Sequence, residues 1–243
     1  MKFFEDYYIC IVAIYIDMGN DTPKLTRFSK IIFTLCAVMF VAGAVSLFFV
    51  EDDAAVSRLL FQMLELFVMM VVIFIPRILN RMVHIKVPMA MDIIFVAFCF
   101  GTMIMGDVAD LYGKIPWWDK MQHGISGVLL GILAYEIINT FNKVDGKEIR
   151  FPPLFVAIWM VCFALAVGAF WEIWEYVTDD MFGFNSQQYL STRGTFDNSV
   201  PLVGHEALKD TMQDLMLDLL GSGAIAIVSF FLLRKQRKNL NDK

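Results

Sequence analysis

Residues 31–50 read IIFTLCAVMFVAGAVSLFFV, a run from Ile31 to Val50 without a single charged side chain. An α-helix rises about 1.5 Å per residue, so about 20 apolar residues cross the ~30 Å hydrocarbon core of a bilayer. A soluble amphipathic helix would return a polar face every turn, and this run does not. Five more predominantly apolar runs, each with one or two charged residues, follow at Ala55–Ile75, Val87–Met105, Met121–Phe141, Pro153–Tyr176 and Met212–Leu233. The expected fold is an all-α polytopic membrane bundle of about six transmembrane helices.

Composition agrees with this and excludes a soluble domain. Of 243 residues 58% are hydrophobic, and the mean hydropathy is +0.61. The net charge of −5 is modest, and no nucleic-acid partner is expected. Cys10, Cys36, Cys99 and Cys162 lie scattered in apolar stretches without Cys-x-x-Cys spacing, as small packing residues do. Tyr7–Ile16 is apolar but too short to span, so residues 1–30 are expected to form a cytoplasmic or interfacial N-terminal segment. Glu5 and Asp6 precede it and no small-residue cleavage site follows, so a cleavable signal peptide is not expected. Residues 1–243 are expected to form one integral membrane domain, with a polar outer loop at 178–209 and a basic cytoplasmic tail at 234–243.

Lysine and arginine set the orientation. With the N-terminus inside, the cytoplasmic side receives Lys2, Lys24, Arg27, Lys30, Arg77, Arg81, Lys86, Lys143, Lys147, Arg150 and the tail residues Arg234, Lys235, Arg237, Lys238 and Lys243. Only Arg58, Lys114, Lys120, Arg193 and Lys209 fall on the other side. The expected location is the cell membrane, multi-pass, with both termini cytoplasmic. A reporter fused after Lys243 should therefore be cytoplasmic, and one inserted near Ser191 extracytoplasmic. The opposite result at either point would reverse the orientation.

In that orientation 15 of the 25 acids gather on the outer side. Glu51, Asp52 and Asp53 read as loop charges, but three groups run into helices. Asp119-Lys-Met-Gln-His123 opens the fourth span, and an i, i+4 pair shares one helix face. The same stripe continues through Gly127 and Gly131, a small-residue seam that admits a neighbouring helix. Trp171-Glu172-Ile-Trp174-Glu175 ends the fifth span, with Gly168 preceding on that face. Asp210, Asp214 and Asp218 open the sixth on one arc that includes Gly221. Trp117, Trp118, Trp171 and Trp174 mark this depth as an interface.

Each acid alone also reads as a helix cap or a solvated charge. Asp214 and Asp218 resist that reading, because a charge inside an apolar span costs at least ~2.5–3.5 kcal/mol and needs a partner. Glu65 and Asp92 sit off this layer and read as neutral, hydrogen-bonded carboxyls. His84 reads as a solvated loop residue, and His205-Glu206 either caps the sixth span or joins the cluster.

Asp119-x-x-x-His123-x-x-Ser126-Gly127, Trp171-Glu172-x-x-Glu175 and Asp210-Thr211-x-x-Asp214-Leu215-x-x-Asp218-x-x-Gly221 together resemble the YjdF-type family of bacterial integral membrane proteins. More distantly they resemble the VanZ-like family, whose helices also open with an Asp-Lys-x-x-His pattern. The resemblance covers about residues 105–225. It implies a helical membrane fold and these polar positions, but supplies no reaction. The VanZ-like link to resistance against glycopeptide antibiotics of the teicoplanin kind implies an envelope setting.

Three functions compete. In a metal-dependent enzyme, Asp119, His123, Glu172, Glu175, Asp210 and Asp214 would hold a divalent ion. Oxygen donors with one imidazole suit Mn²⁺, Fe²⁺, Zn²⁺ or Mg²⁺ better than Cu(I). The ion would polarise a phosphoryl or acyl oxygen, or activate water for hydrolysis or transfer on a lipid or envelope head group. His123 and Asp218 are the candidate catalytic residues, Asp218 as a proton carrier. The substrate would be lipid-linked or amphiphilic, reached from the bilayer. No zincin, nucleophile-elbow or P-loop motif is present. The second function is a proton- or ion-coupled transporter, since intramembrane acids also serve as relays. The third is a scaffold subunit held together by a polar network. Charge favours the first: five carboxylates and an imidazole at one place repel unless protons or a cation compensate. Lys120 and Lys209 adjoin Asp119 and Asp210, but about 100° round their helices, and are expected to point away.

Overall fold

A computed structural model of the chain describes residues 25–83, 87, 89–141, 151–191 and 199–241. The segment Tyr7–Ile16, His84, the basic residues at 143, 147 and 150, and Arg193 lie outside the described residues. The elements are α1 (Arg27–Ser46), α2 (Asp53–Val72), α3 (Ile75–Val83) and α4 (Met89–Cys99), which runs on as a π-helix at Phe100–Val108. A short α5 (Leu111–Lys114), α6 (Trp118–Phe141), α7 (Pro153–Phe182), a 3₁₀ turn (Gly204–Leu208) and α8 (Lys209–Asn241) follow. Six helical stretches are long and apolar enough to cross a membrane: Arg27–Ser46, Asp53–Met82, Met91–Val108, Trp118–Thr140, Pro153–Phe182 and Gly204–Asn239. The all-α membrane fold is as the sequence implies.

The boundaries differ for local reasons. α1 begins four residues before Ile31 because Thr26 caps it, its Oγ1 accepting from the Ser29 amide at 3.0 Å. α7 does not stop at Tyr176. It runs through Thr178, Asp179 and Asp180 to Phe182, where Gly183 at φ +70° takes the left-handed turn that ends it. The polar connection expected over 178–209 therefore contracts to 183–203, since Gly204–Leu208 is already helical.

The chain divides into two compact units. The first contains the described residues up to Phe49 together with Met63–Phe100. Its buried polar centre is an ion pair: Arg77 donates from both terminal nitrogens to Asp92, at 3.1 and 2.8 Å. Arg77 also donates to the Ile73 carbonyl at 2.6 Å, and Ser29 Oγ lies 3.5 Å from the same carboxylate. The sequence suggested a hydrogen-bonded carboxyl at Asp92 but not its guanidinium partner. A break after Val72 starts a new helix at Ile75, and that places Arg77 within reach of it. Glu65 is buried in the same unit.

The second unit contains Val50–Gln62 and Gly101–Lys243. Within it α6, α7 and α8 pack on one another around Ala134, Ile138, Val156, Met160 and Ala226, and Trp159 Nε1 donates to the Ala134 carbonyl at 2.9 Å. Lipid tails are as apolar as leucine, so close backbone approach must supply the attraction. Glycines permit it. A Cβ at Gly221 would lie 2.5 Å from the Gly124 carbonyl oxygen and 3.1 Å from the Val128 nitrogen.

Candidate functional site

The three helices bring their polar ends together at one level because they alternate in direction. Asp119 opens α6, Glu172 lies near the end of α7, and Asp210 opens α8. Asp119, His123, Glu172, Asp210, Asp214 and Asp218 are all buried. One turn of helix puts Asp119 Oδ1 at 3.7 Å from His123 Nε2, and from α7 Glu172 Oε1 reaches the same nitrogen at 3.6 Å. His123 Nδ1 faces the opposite way, toward Asp218 Oδ2 at 3.2 Å.

Asp218 is fully enclosed, at 0% exposure. Two glycines make the space: a Cβ at Gly127 would meet its backbone, and one at Gly168 would collide with its carboxylate. Ser126 Oγ donates to Asp218 Oδ1 at 2.5 Å, and Ser222 Oγ donates to the Asp218 carbonyl at 2.6 Å. If Nδ1–H donates to this carboxylate in a neutral imidazole, Nε2 carries the lone pair, on the side that faces Asp119 and Glu172. A carboxylate behind a histidine in this way fixes the tautomer of metal-ligating imidazoles. Asp218 lies on the Nδ1 side of His123, opposite Asp119 and Glu172.

Lys120 corrects the sequence expectation. It does not point away; its Nζ lies 2.6 Å from Asp210 Oδ1, 2.6 Å from Asp214 Oδ2 and 3.3 Å from Asp119 Oδ2. The four-carbon stem carries the ammonium round the helix to where α8 presents two carboxylates. Lys209 behaves as expected, pairing with exposed Glu206 at 3.1 Å. His205 and Glu206 are exposed in the 3₁₀ turn and take no part in the cluster. Glu175 Oε1 accepts from Trp171 Nε1 at 2.8 Å.

Some polar atoms stay unmatched. Asp214 is 1% exposed, and while Oδ2 takes Lys120, Oδ1 has no hydrogen-bond partner among the described residues. Neither Glu172 oxygen accepts a hydrogen bond of ordinary geometry there. A buried acceptor left so costs about 1–3 kcal/mol, and more when charged. Asp119, His123 and Asp214 each offer a donor atom within 4.8 Å of the others, a spacing that can hold a metal ion.

A short connection covers this end. Asp179, buried, accepts from the Ser186 amide at 2.7 Å and the Gln187 amide at 3.0 Å. The Gln187 side chain then donates to the Glu172 carbonyl and Thr211 Oγ1, tying α7 to α8. Asp179 and Gln187 were not singled out in the sequence, because their role depends on α7 running past Tyr176.

A family model described as "Predicted membrane protein (DUF2238)" matches residues 28–235, most of the chain. The chain belongs to this family. The match includes every residue of the cluster. A protein of Thermotoga maritima, described only as "Uncharacterized protein", is 26% identical over 160 residues, covering 65% of this chain and 70% of that protein. No solved structure matches.

Chemically, this DUF2238 site combines an imidazole, several carboxylates and one ammonium in a buried cluster. The donor set fits a hard or borderline divalent cation.

Proposed function

We propose that the cluster is a divalent-metal centre at the extracytoplasmic end of the bundle, serving hydrolysis or transfer on the head group of a lipid or envelope component. The observation that carries this reading is the buried Asp119–His123–Asp214 group, whose donor atoms lie within 4.8 Å, with Asp214 Oδ1 lacking a hydrogen-bond partner among the described residues. His123 Nε2, Asp119 and Asp214 would hold the ion, with Glu172 as the adjacent fourth donor. A divalent ion there supplies Lewis acidity toward a phosphoryl or acyl oxygen. Lys120 and the carboxylates set the local charge, and Asp218 holds the imidazole. The outer placement rests on the lysine and arginine distribution, and the envelope setting agrees with the VanZ-like pattern from Asp119 to His123. A lipid-linked or amphiphilic substrate suits a site at the end of membrane-spanning helices.

Elemental analysis of the chain purified without chelator tests this. The wild type should carry about one divalent ion per chain, and His123→Ala and Asp214→Ala should carry none, since either removes a ligand. Unchanged content in both variants, or no metal in any, would end the metal reading.

A proton-coupled transporter is the second reading. What favours it is the ladder of polar contacts along α8, from Asp210 through Lys120 to Asp214 and from His123 through Asp218 to Ser126. It runs about 12 Å along the helix axis, from residue 210 to residue 218. Beyond Ser222 the residues of α8 from Gly223 to Val228 are apolar, so the ladder does not continue along this helix. Proton flux into liposomes that is abolished by Asp218→Asn, in protein without metal, would favour this reading over the first. A scaffold would show neither metal nor flux.

A further inference from the structure

We infer that Lys120 is a tethered competitor of the metal and that Asp210 is its resting place, not a metal ligand. The inference rests on the metal centre proposed above and assigns two residues within it. The geometry divides the carboxylates. Asp119 and Asp214 share one ligand set with His123, and Asp210 stands outside that set. Lys120 Nζ touches all three, at 3.3 Å to Asp119, 2.6 Å to Asp214 and 2.6 Å to Asp210. An ammonium and a divalent ion cannot both occupy the space between Asp119 and Asp214, because like charges a few ångströms apart in a poorly hydrated site repel strongly. Lys120 holds the Oδ2 atoms of both carboxylates, while Asp119 Oδ1 faces His123 and Asp214 Oδ1 has no hydrogen-bond partner among the described residues, so an ion taken up on the Oδ1 side meets the ammonium across the same two carboxylates and favours its withdrawal.

Asp210 is where the ammonium goes. It already accepts from Nζ through Oδ1, and its backbone carbonyl lies 3.5 Å from the same nitrogen. The lysine stem is flexible enough to withdraw to Asp210 without a backbone change. The two residues then act in opposite directions on metal affinity. Lys120 weakens it by holding a positive charge on the same two carboxylates, and Asp210 strengthens it by taking that charge away.

Mn²⁺ titration of the full-length purified chain, followed by loss of the free-ion electron paramagnetic resonance signal, tests the assignment. Lys120→Gln, whose amide still donates to Asp210, should bind Mn²⁺ at least about tenfold tighter. Lys120→Met repeats the measurement without the amide. Asp210→Asn should bind about tenfold weaker when Lys120 is present and should have no effect in the Lys120→Gln background. That non-additivity is the signature, because a true ligand would weaken binding in both backgrounds. Equal loss in both backgrounds overturns the inference, as does unchanged or weaker binding in the Lys120 variants, and either result leaves the metal centre standing. Binding in Lys120→Gln but not in the wild type supports the competitor role while rejecting a resident metal in the native chain. No Mn²⁺ binding in any chain rejects both.

Discussion

Replacing Gly127 with leucine is expected to break the packing of α6 against α8 and to lower stability by about 3 kcal/mol or more. The reason is the identity of the atoms in the way. A Cβ at position 127 would lie 2.5 Å from the Asp218 carbonyl oxygen, 2.9 Å from its Cα and 3.1 Å from its carbonyl carbon. These are backbone atoms of a long helix, and no rotamer change moves them. The helices must separate, and the Gly221 contact with the Gly124 carbonyl separates with them. Asp218 then loses its fit against Gly168, so the site loosens along with the fold. Gly124 is the internal control, since a Cβ there meets nothing within 4 Å. Gly124→Ala should be neutral or stabilising, because alanine exceeds glycine by about 1 kcal/mol in helix propensity. Denaturation of the purified chain in mixed micelles, followed by circular dichroism, separates the two. Equal midpoints for Gly127→Leu and wild type would mean that this backbone contact does not hold the bundle.

The membrane fold was legible because the bilayer imposes one length on every span, and six predominantly apolar runs of that length recur along the chain. The glycine seam was legible for a related reason. Gly127, Gly131, Gly168 and Gly221 share helical faces with the acids, and each does meet a neighbouring helix closely. The facing of Asp119, His123, Glu172, Asp214 and Asp218 followed from that periodicity. Side-chain reach did not. Angular position on a helix places a Cβ, and Lys120 shows that a long stem can deliver its charge to the far side of that angle. Arg77 illustrates the same limit, complicated by a helix break at residues 73–74 that the apolar run Ala55–Ile75 conceals. The π-helical turn at Phe100–Val108 was also invisible, since it depends on contacts such as Trp118 Nε1 donating to the Gly101 carbonyl at 3.3 Å. Glu175 shares a face with Glu172 by spacing, and the hydrogen bond that Trp171, one turn earlier, donates to its Oε1 was not legible from that spacing.

Asp218→Asn is expected to lower metal affinity by about 10- to 100-fold while leaving the fold intact. Asparagine has nearly the shape of aspartate, so it fits the space that Gly168 and Gly127 leave. What changes is the hydrogen bond to His123. The carboxylate can only accept, which requires the proton on Nδ1 and leaves the Nε2 lone pair facing Asp119 and Glu172. An amide can turn its NH₂ toward Nδ1 and accept from Ser126 with its oxygen. That arrangement stabilises the other tautomer, with the proton on Nε2 and no lone pair for an ion. The amide also withdraws the negative charge that raises the basicity of the imidazole. Ser126→Ala, which removes only the partner of Oδ1, should act in the same direction and more weakly. Mn²⁺ titration beside thermal unfolding distinguishes this role from that of a proton carrier. A carrier variant would keep full metal affinity and lose only turnover. Wild-type affinity in Asp218→Asn would therefore return Asp218 to the role of proton carrier that its place in the sequence first suggested.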